Sequence, residues 1–596
     1  MRHTSVKGFS GRALTAPCRE AVGTGPPTRV FPRWFFRGAT TKGVRLENRG
    51  RKRRSPWKAG IAVVLLLLLG TSACTPAPPT EDPAAANQPD WFGYDRPAEY
   101  SVATTRITVP VTDEGPRSPG TLSCLLHRPA TDGAPAPGRF PGIFYQFAPY
   151  GLAQAPLRPD NEEEYLAEHG YNVLHCDIPG TGASAGHGYD LDWPVQDIAA
   201  RDAIDWLGSQ EWSTGKVGAS GRSYGGWTAL RAASERPEHL AAVLTNVAPS
   251  NMYEQFFYPG GNLAGADVAW PGAVTSSDPG YAARQVKTWR AHPKEDAYWA
   301  DLDLSGRMQR VEVPVMSTGG WYDVFRAGPV ENHADLVRAG RADTSYLVMG
   351  PWAHGQAHLQ GEQPLPLGGQ LAWWDHWLSD DAAGRLPEQH ISSFAMPTTG
   401  SPGWESYDTW PRTTTSTVFP AAGGVLRDEA APASSVGFDV DTTVGHSTTC
   451  LLRCTTPETS PSPASDLPGT AGIAGFTAEP VEEPLHLLGR VRARLSITSH
   501  ATAAHPLAVR VLDVGPDGRT MEAAAGWTRV DADALGRRTH HTVELQATDW
   551  IVPPGHRIRI AVSAGDSPKL ASPDVHGTVT VHTGPNGSRF ELPVVP

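Results

Sequence analysis

The chain has 596 residues, 51 Lys or Arg against 62 Asp or Glu, and 40% apolar residues, more than one hydrophobic core organises, so two folded domains are expected. Fifteen of the basic and two of the acidic residues fall in 1–58, leaving 36 basic against 60 acidic side chains, a formal charge of −24, in the rest. That balance excludes the basic face nucleic acid requires, and the six cysteines form no Cys-x-x-Cys pair or metal spacing; neither cofactor nor metal is expected.

Residues 1–58 form a basic N-terminal extension that ends in Arg51, Lys52, Arg53, Arg54 and Lys58. An uncharged run, Ala59 to Leu69, follows, and Gly70-Thr71-Ser72-Ala73-Cys74 closes it. The run is short for a membrane-spanning helix, and the order basic, apolar, small is that of an export signal. Residues 59–74 therefore read as a signal segment. They resemble a bacterial lipoprotein signal, in which Cys74 takes the lipid and becomes the first mature residue, although Thr71 departs from the usual Leu or Val. An exported protein is expected, either held at the cell membrane through that lipid or an uncleaved signal anchor, or secreted, with 75–97 as a Pro/Ala-rich linker.

From 98 to 385 apolar strand-like runs alternate with helical patterns, the signature of an α/β domain. Strands are expected at Gly142–Phe147, Asn172–Asp177, Lys216–Gly221, Ala241–Val247, Val313–Gly319 and Tyr346–Gly350. Val195, Ile198, Ala199, Ala203, Trp206 and Leu207 recur at helical spacing. Between about 251 and 310 the regularity fails in an aromatic, Gly/Pro-punctuated stretch, which reads as a cap inserted over the catalytic edge. From 390 to 596 the period becomes two: Val491, Ala493, Leu495 and Ile497 take one face, Arg490, Arg492, Arg494 and Ser496 the other. A β-sandwich of jelly-roll type is expected there.

The chemistry lies in three strand-end motifs. Gly221-Arg222-Ser223-Tyr224-Gly225-Gly226 puts a serine between glycines where a strand becomes a helix, a Gly-x-Ser-x-Gly nucleophile turn. A serine hydroxyl is a poor nucleophile without a base, and the base needs an acid to hold it. Gly320-Trp321-Tyr322-Asp323 and Gly350-Pro351-Trp352-Ala353-His354 supply both after later strands, in the α/β-hydrolase order. Cys176, at a strand end, reads as a small buried hydrophobe; Cys450 and Cys454 are spaced for a local disulfide or stand as two free thiols.

Together the three motifs resemble those of the X-Pro dipeptidyl-peptidase and cocaine esterase family of serine hydrolases, and the later segments VLDVGPDGRT and PPGHRIRIAVS resemble its jelly-roll domain. The resemblance spans about 98 to 596. It implies an α/β-hydrolase fold with Ser223 as nucleophile, His354 as general base and Asp323 as the acid that orients it. It also implies an oxyanion hole from the Tyr150 hydroxyl, in a Pro-Tyr pair, and the Tyr224 backbone N–H. Asp177-Ile178-Pro179-Gly180 stands where many relatives carry Asp-x-Arg-Gly, in a loop expected to support the nucleophile region. Trp321 and Trp352 are expected to pack beside the triad.

The expected activity is hydrolysis of an ester or amide through an acyl-enzyme, the partner being a small ester, amide or short peptide. One alternative is removal of an Xaa-Pro dipeptide, which needs carboxylates for the substrate ammonium; Glu254, Glu295, Asp296 and Asp301 are the candidates. A second is a non-catalytic surface lipoprotein that binds through its β domain.

Overall fold

The computed structural model describes residues 88–112, 120–149, 162–186, 193–265, 281–354, 365–379, 384, 386–397, 403–445, 472–567 and 569–596. Cys74, Tyr150, Cys450 and Cys454 lie outside them. Eleven described strands build the catalytic sheet: β1 (Ser101–Pro110), β2 (Thr121–Thr131), β3 (Ala134–Pro135), β4 (Phe140–Ala148), β5 (Asn172–Asp177), β6 (Ser213–Arg222), β7 (Leu240–Asn246), β8 (Val315–Gly320), β9 (Ser345–Gly350), β10 (Ile391–Ala395) and β11 (Gly403–Tyr407). Their order is β1-β2-β5-β4-β6-β7-β8-β9-β10-β11, with β3 beside β2. The run from β5 to β10 is parallel, and β1, β2 and β11 close its edges in antiparallel pairs. The sheet thus reaches past residue 385.

Parallel strands buried on both faces need apolar side chains at every position. Ile143 and Tyr145 of β4 and Leu244 of β7 enter one core, while Phe144, Phe147 and Val243 enter the other. Helices α1 (Glu162–Glu168), α2 (Trp193–Gly208) and α3 (Tyr224–Ser234) are followed by α4 (Tyr281–Ala291), α5 (Ala327–Arg338) and α6 (Leu367–Leu378). α2, α3 and α5 pack on the second core, and α1 and α6 on the first. The spacing that predicts a helix near 195–207 is realised in α2.

Thirteen strands between Thr414 and Val594 make the C-terminal domain. Its first strand, Thr414–Ala421, pairs with Arg589–Val594 as far as Val418 and with Val425–Arg427 from Phe419, so one strand belongs to two sheets. The expected alternation holds: Val491, Ala493, Leu495 and Ile497 are buried, while Arg492 and Arg494 reach Glu544 and Glu591 on the outer face.

The described part of the cap begins with a π-helical turn, Tyr253–Phe257, and continues through α4 and the short helices Ala297–Ala300 and Ser305–Met308. Its first limb is sewn to the C-terminal domain. The Gly265 N–H donates to Lys569 O and the Ala571 N–H to Leu263 O, each at 2.9 Å, and the Asn262 amide donates to Thr528 O at 2.9 Å. Gly260 sits at φ +57°, where a Cβ would come within 2.3 Å of the Trp527 carbonyl, so only glycine allows that approach.

Cys176 corrects the sequence reading. It is fully buried, but as the disulfide partner of Cys124, because β2 and β5 pair in the register that sets the two residues opposite each other. The loop after β5 places Ile178 in the same buried core as Tyr224 and Trp227. The Asp177 carboxylate accepts from the Ala183 N–H, Ser184 Oγ donates to Asp177 O, and the Ser123 N–H donates to Ser184 Oγ, so these bonds brace the loop against β2.

Candidate active site

β6 ends at Arg222 and α3 begins at Tyr224. Between them Ser223 holds φ 58° and ψ −121°, a conformation costing about 1–3 kcal/mol that persists only when its surroundings impose it. Two bonds do so: the Ser223 N–H donates to Asn246 O at 2.8 Å, and Ser223 O accepts from the Trp227 N–H at 3.0 Å. A Cβ on Gly221 would lie 2.5 Å from the Gly225 carbonyl carbon, which is why the first glycine of the motif is required.

β8 ends at Gly320 and delivers Asp323, which has no exposed surface. Its Oδ1 accepts from the Phe325 N–H at 2.6 Å and its Oδ2 from His354 Nδ1 at 2.8 Å. β9 ends at Gly350 and delivers His354, whose Nε2 lies 3.0 Å from Ser223 Oγ. The Trp321 N–H donates to Gly350 O at 2.9 Å and the Tyr322 N–H to Trp352 O at 3.1 Å, so the two loops are tied to each other. Since a carboxylate only accepts, Nδ1 carries the imidazole proton and Nε2 presents a lone pair to the serine hydroxyl. The arrangement is that of a hydroxyl poised to lose its proton as it attacks a carbonyl.

The structure brings together Ser223, Asp323 and His354, the three residues picked from separate motifs. Tyr224 opens α3 directly after Ser223, and its hydroxyl donates to Gln196 Oε1 at 2.9 Å, which commits the ring to α2. Trp321 donates from Nε1 to Phe394 O at 3.0 Å, and Trp352 packs against Phe92 and Trp404, so both act as support for the triad loops. Phe325 stands edge-on to the His354 ring, 5.3 Å between centroids, and Phe256 of the cap lies 5.5 Å from Phe325.

The four cap carboxylates do not form one cluster. Asp296 accepts from His292 and caps the helix Ala297–Ala300. Asp301 is held by Arg307 at 3.0 Å and by Arg231 at 3.9 Å, and Arg231, buried in α3, also makes a bidentate pair with Asp197 of α2. These bonds tie the cap to α3, and Asp301 shares its two arginines with Asp197. Glu254 and Glu295 are electrostatic neighbours, with Glu331 near them; desolvation foremost, together with those charges, pushes Glu254 up to about 7. Among the described residues no group of His, Cys, Asp and Glu has the arrangement of a metal site.

Gln146 has no role in the sequence reading, yet its side-chain amide meets the Arg222 peptide beside the nucleophile. A lone amide inside the apolar run GIFYQFA is the signal that could have found it.

Comparison with known proteins agrees with this geometry. The family model described as X-Pro dipeptidyl-peptidase (S15 family) matches residues 121–285 and 273–356. That for the X-Pro dipeptidyl-peptidase C-terminal non-catalytic domain matches 383–588. The cocaine esterase of Rhodococcus sp. (strain MB1 Bresler) is 25% identical over 556 residues, covering 79% of this chain and 92% of that protein. Among solved structures, an aminopeptidase from a marine sediment Thaumarchaeota archaeon superposes with a TM-score of 0.70 at 18% identity, over 86% of this chain and 99% of that one. An α-amino acid ester hydrolase gives 0.69 at 19%, over 85% and 99%. At such identities the two structures speak for the fold.

Proposed function

This chain belongs to the X-Pro dipeptidyl-peptidase and cocaine esterase family of serine hydrolases, and within that family we propose that it is an exported hydrolase of esters or acylamides working through an acyl-enzyme on Ser223. The observation that carries the reading is the unbroken hydrogen-bond chain from Ser223 Oγ through His354 to Asp323. As Oγ attacks the substrate carbonyl its proton passes to His354 Nε2, and the buried Asp323 carboxylate stabilises the imidazolium that results. His354 then gives the proton to the departing alcohol or amine. Water, deprotonated by the same nitrogen, releases the acid from Ser223. The Tyr224 N–H and the Tyr150 hydroxyl are assigned to the oxyanion.

An ester or acylamide is favoured over an Xaa-Pro peptide by what surrounds the base. Phe325 and Phe256 give that side an apolar wall. An ammonium clamp needs carboxylates that converge, whereas Asp296 caps a helix and Asp301 is held by two arginines, which leaves only Glu254 and Glu295 of the four as neighbours. Membership of an enzyme family leaves the non-catalytic reading without a feature that calls for it.

Export is supported by the order of the basic, apolar and small residues before Cys74 and by a buried disulfide, a bond that persists in oxidising compartments. We assign Cys74 as the lipidated residue; Cys74→Ser is expected to move the protein from membrane to medium, and unchanged membrane retention refutes the assignment.

The test of the activity is labelling by a fluorophosphonate followed by a panel of aryl esters, N-acyl amides and Xaa-Pro chromogenic substrates. Wild type should be labelled at Ser223 and Ser223→Ala should not. Folded wild-type protein that takes no label ends the proposal, and turnover confined to Xaa-Pro substrates replaces ester and acylamide hydrolysis with the dipeptidyl reading.

A further inference from the structure

The peptide next to the nucleophile has a problem of hydrogen bonding that the sheet does not solve. β4 and β6 pair in parallel up to Tyr145 opposite Ser220. β6 runs two residues further, paired on its other side as Gly221 with Thr245 and Arg222 with Asn246. β4 leaves the ladder at that point: Gln146 takes φ +50°, and the strand is next paired, with β5, at Ala148 opposite Asp177. In a parallel sheet alternate residues turn both backbone groups to the same neighbour. The departure of β4 therefore withdraws the peptide that would have met the N–H and C=O of Arg222, the residue that carries Ser223.

The Gln146 side chain stands in its place. Its Oε1 accepts from the Arg222 N–H at 2.9 Å and its Nε2 donates to Arg222 O at 3.2 Å. The residue is buried, with 4% of its surface exposed, so neither backbone group is expected to find water in its absence. One donor and one acceptor on a single planar carbon are needed for this, which an amide offers at every pH and a carboxyl group only while protonated. Gly225 answers to the same contact: a Cβ there would lie 2.7 Å from Gln146 Nε2. The second glycine of the Gly-x-Ser-x-Gly motif is thus the space the amide occupies. One residue further along β4, Phe147 O accepts from Thr228 Oγ1 of α3 at 2.6 Å, so the end of β4 is tied to both sides of the nucleophile turn.

We infer that Gln146 is a positioning residue for the nucleophile, its amide replacing the missing strand so that β4 can leave the sheet beside Ser223 without loosening the turn that holds it. The inference rests on the reading of Ser223 as nucleophile. Gln146→Met keeps the length and removes both bonds; Gln146→Glu keeps the acceptor for the Arg222 N–H and, when ionised, removes the donor. Both are to be compared with wild type in kcat and KM on an aryl ester, in the rate constant of fluorophosphonate labelling at Ser223, and in Tm. Displacing a reacting group by under an ångström costs up to about 100-fold, so kcat and the labelling rate constant should fall together by about 10- to 100-fold with KM within about twofold. A purely structural role would lower Tm and leave the labelling of the folded fraction unchanged. Should Gln146→Met not fold, Gln146→Glu is read by the same criteria at alkaline pH, where its carboxyl is ionised. A folded variant with kcat within about twofold of wild type, or with raised KM and unchanged kcat, overturns the inference. Wild-type protein that takes no label is a separate failure, that of Ser223 itself.

Discussion

Replacing Asp323 by asparagine changes one atom and should nearly silence the enzyme. The carboxylate takes two donors, the Phe325 N–H at 2.6 Å and His354 Nδ1 at 2.8 Å, at a site with no exposed surface. An amide has one acceptor oxygen for the pair. If that oxygen turns to His354, the NH2 opposes the Phe325 N–H, and a buried unpaired donor costs about 1–3 kcal/mol. If it stays on Phe325, the NH2 faces Nδ1, which must then be unprotonated. The ring proton moves to Nε2, 3.0 Å from Ser223 Oγ, where it blocks the base. The second arrangement needs only a change of tautomer, so it prevails. Asp323→Asn should therefore lower kcat by about 10⁴-fold, about 5 kcal/mol at 1.36 kcal/mol per decade, with KM and Tm little changed. Aryl-ester turnover and the fluorophosphonate labelling rate should fall in parallel, since both need the same base. A folded variant retaining more than about a tenth of wild-type kcat would show that Asp323 does not orient His354.

Three further outcomes follow from networks away from the reacting atoms. Asp375 of α6 accepts from Tyr94 at 2.8 Å, from Arg96 Nε at 2.9 Å and from Tyr171 at 2.6 Å. Asp375→Ala takes the bidentate partner from that guanidinium, leaving it His169 O and the exposed Glu99, and should cost about 3 kcal/mol in urea unfolding; a loss below about 1 kcal/mol would mean that the cluster contributes little. The Cys124–Cys176 bridge spans 52 residues, so Cys124→Ser with Cys176→Ser, or reduction, should remove about 4 kcal/mol by the chain-entropy relation; an unchanged Tm in reductant counts against the bridge. Burial disfavours the charged form of His486, but its hydrogen bond to Asp549 and that group's charge outweigh it and raise the pKa above the ordinary value. Its stabilisation is therefore complete below about pH 6.5, the unfolded value, and is lost as pH rises through the raised one. The Tm difference between wild type and His486→Gln should accordingly shrink from acid to alkaline pH, and one that grows reverses the argument.

The parts legible in the sequence are those that local geometry dictates. A serine flanked by glycines at a strand end is forced by the backbone of its own turn, and Asp323 and His354 each stand a few residues past an apolar run, so strand prediction alone places them at one edge. The alternation from Val491 to Ile497 reads directly as one buried face. What escapes depends on register and on partners distant in the chain. Cys124 meets Cys176 only because β2 and β5 align in one register. Asp301 looks available until Arg231 and Arg307, on other helices, are seen to hold it. Gln146 is bonded to backbone, and the groups it meets are the same in every residue, so the lone amide in its apolar run marks the position without naming the partner.

The seam along the first limb of the cap has a mechanical consequence. Leu263 and Gly265 are hydrogen-bonded to the chain around Lys569 and Ala571, and Gly260 lies flush on the Trp527 backbone. That limb is a fixed jamb. Any movement of this limb must carry the C-terminal domain with it or break the seam. The C-terminal domain therefore holds more than the cap limb: Leu347 and Phe394 of the catalytic sheet belong to the same buried core as Val491 and Trp550, so cutting the chain after that sheet would strip the sheet of apolar cover as well as freeing the limb.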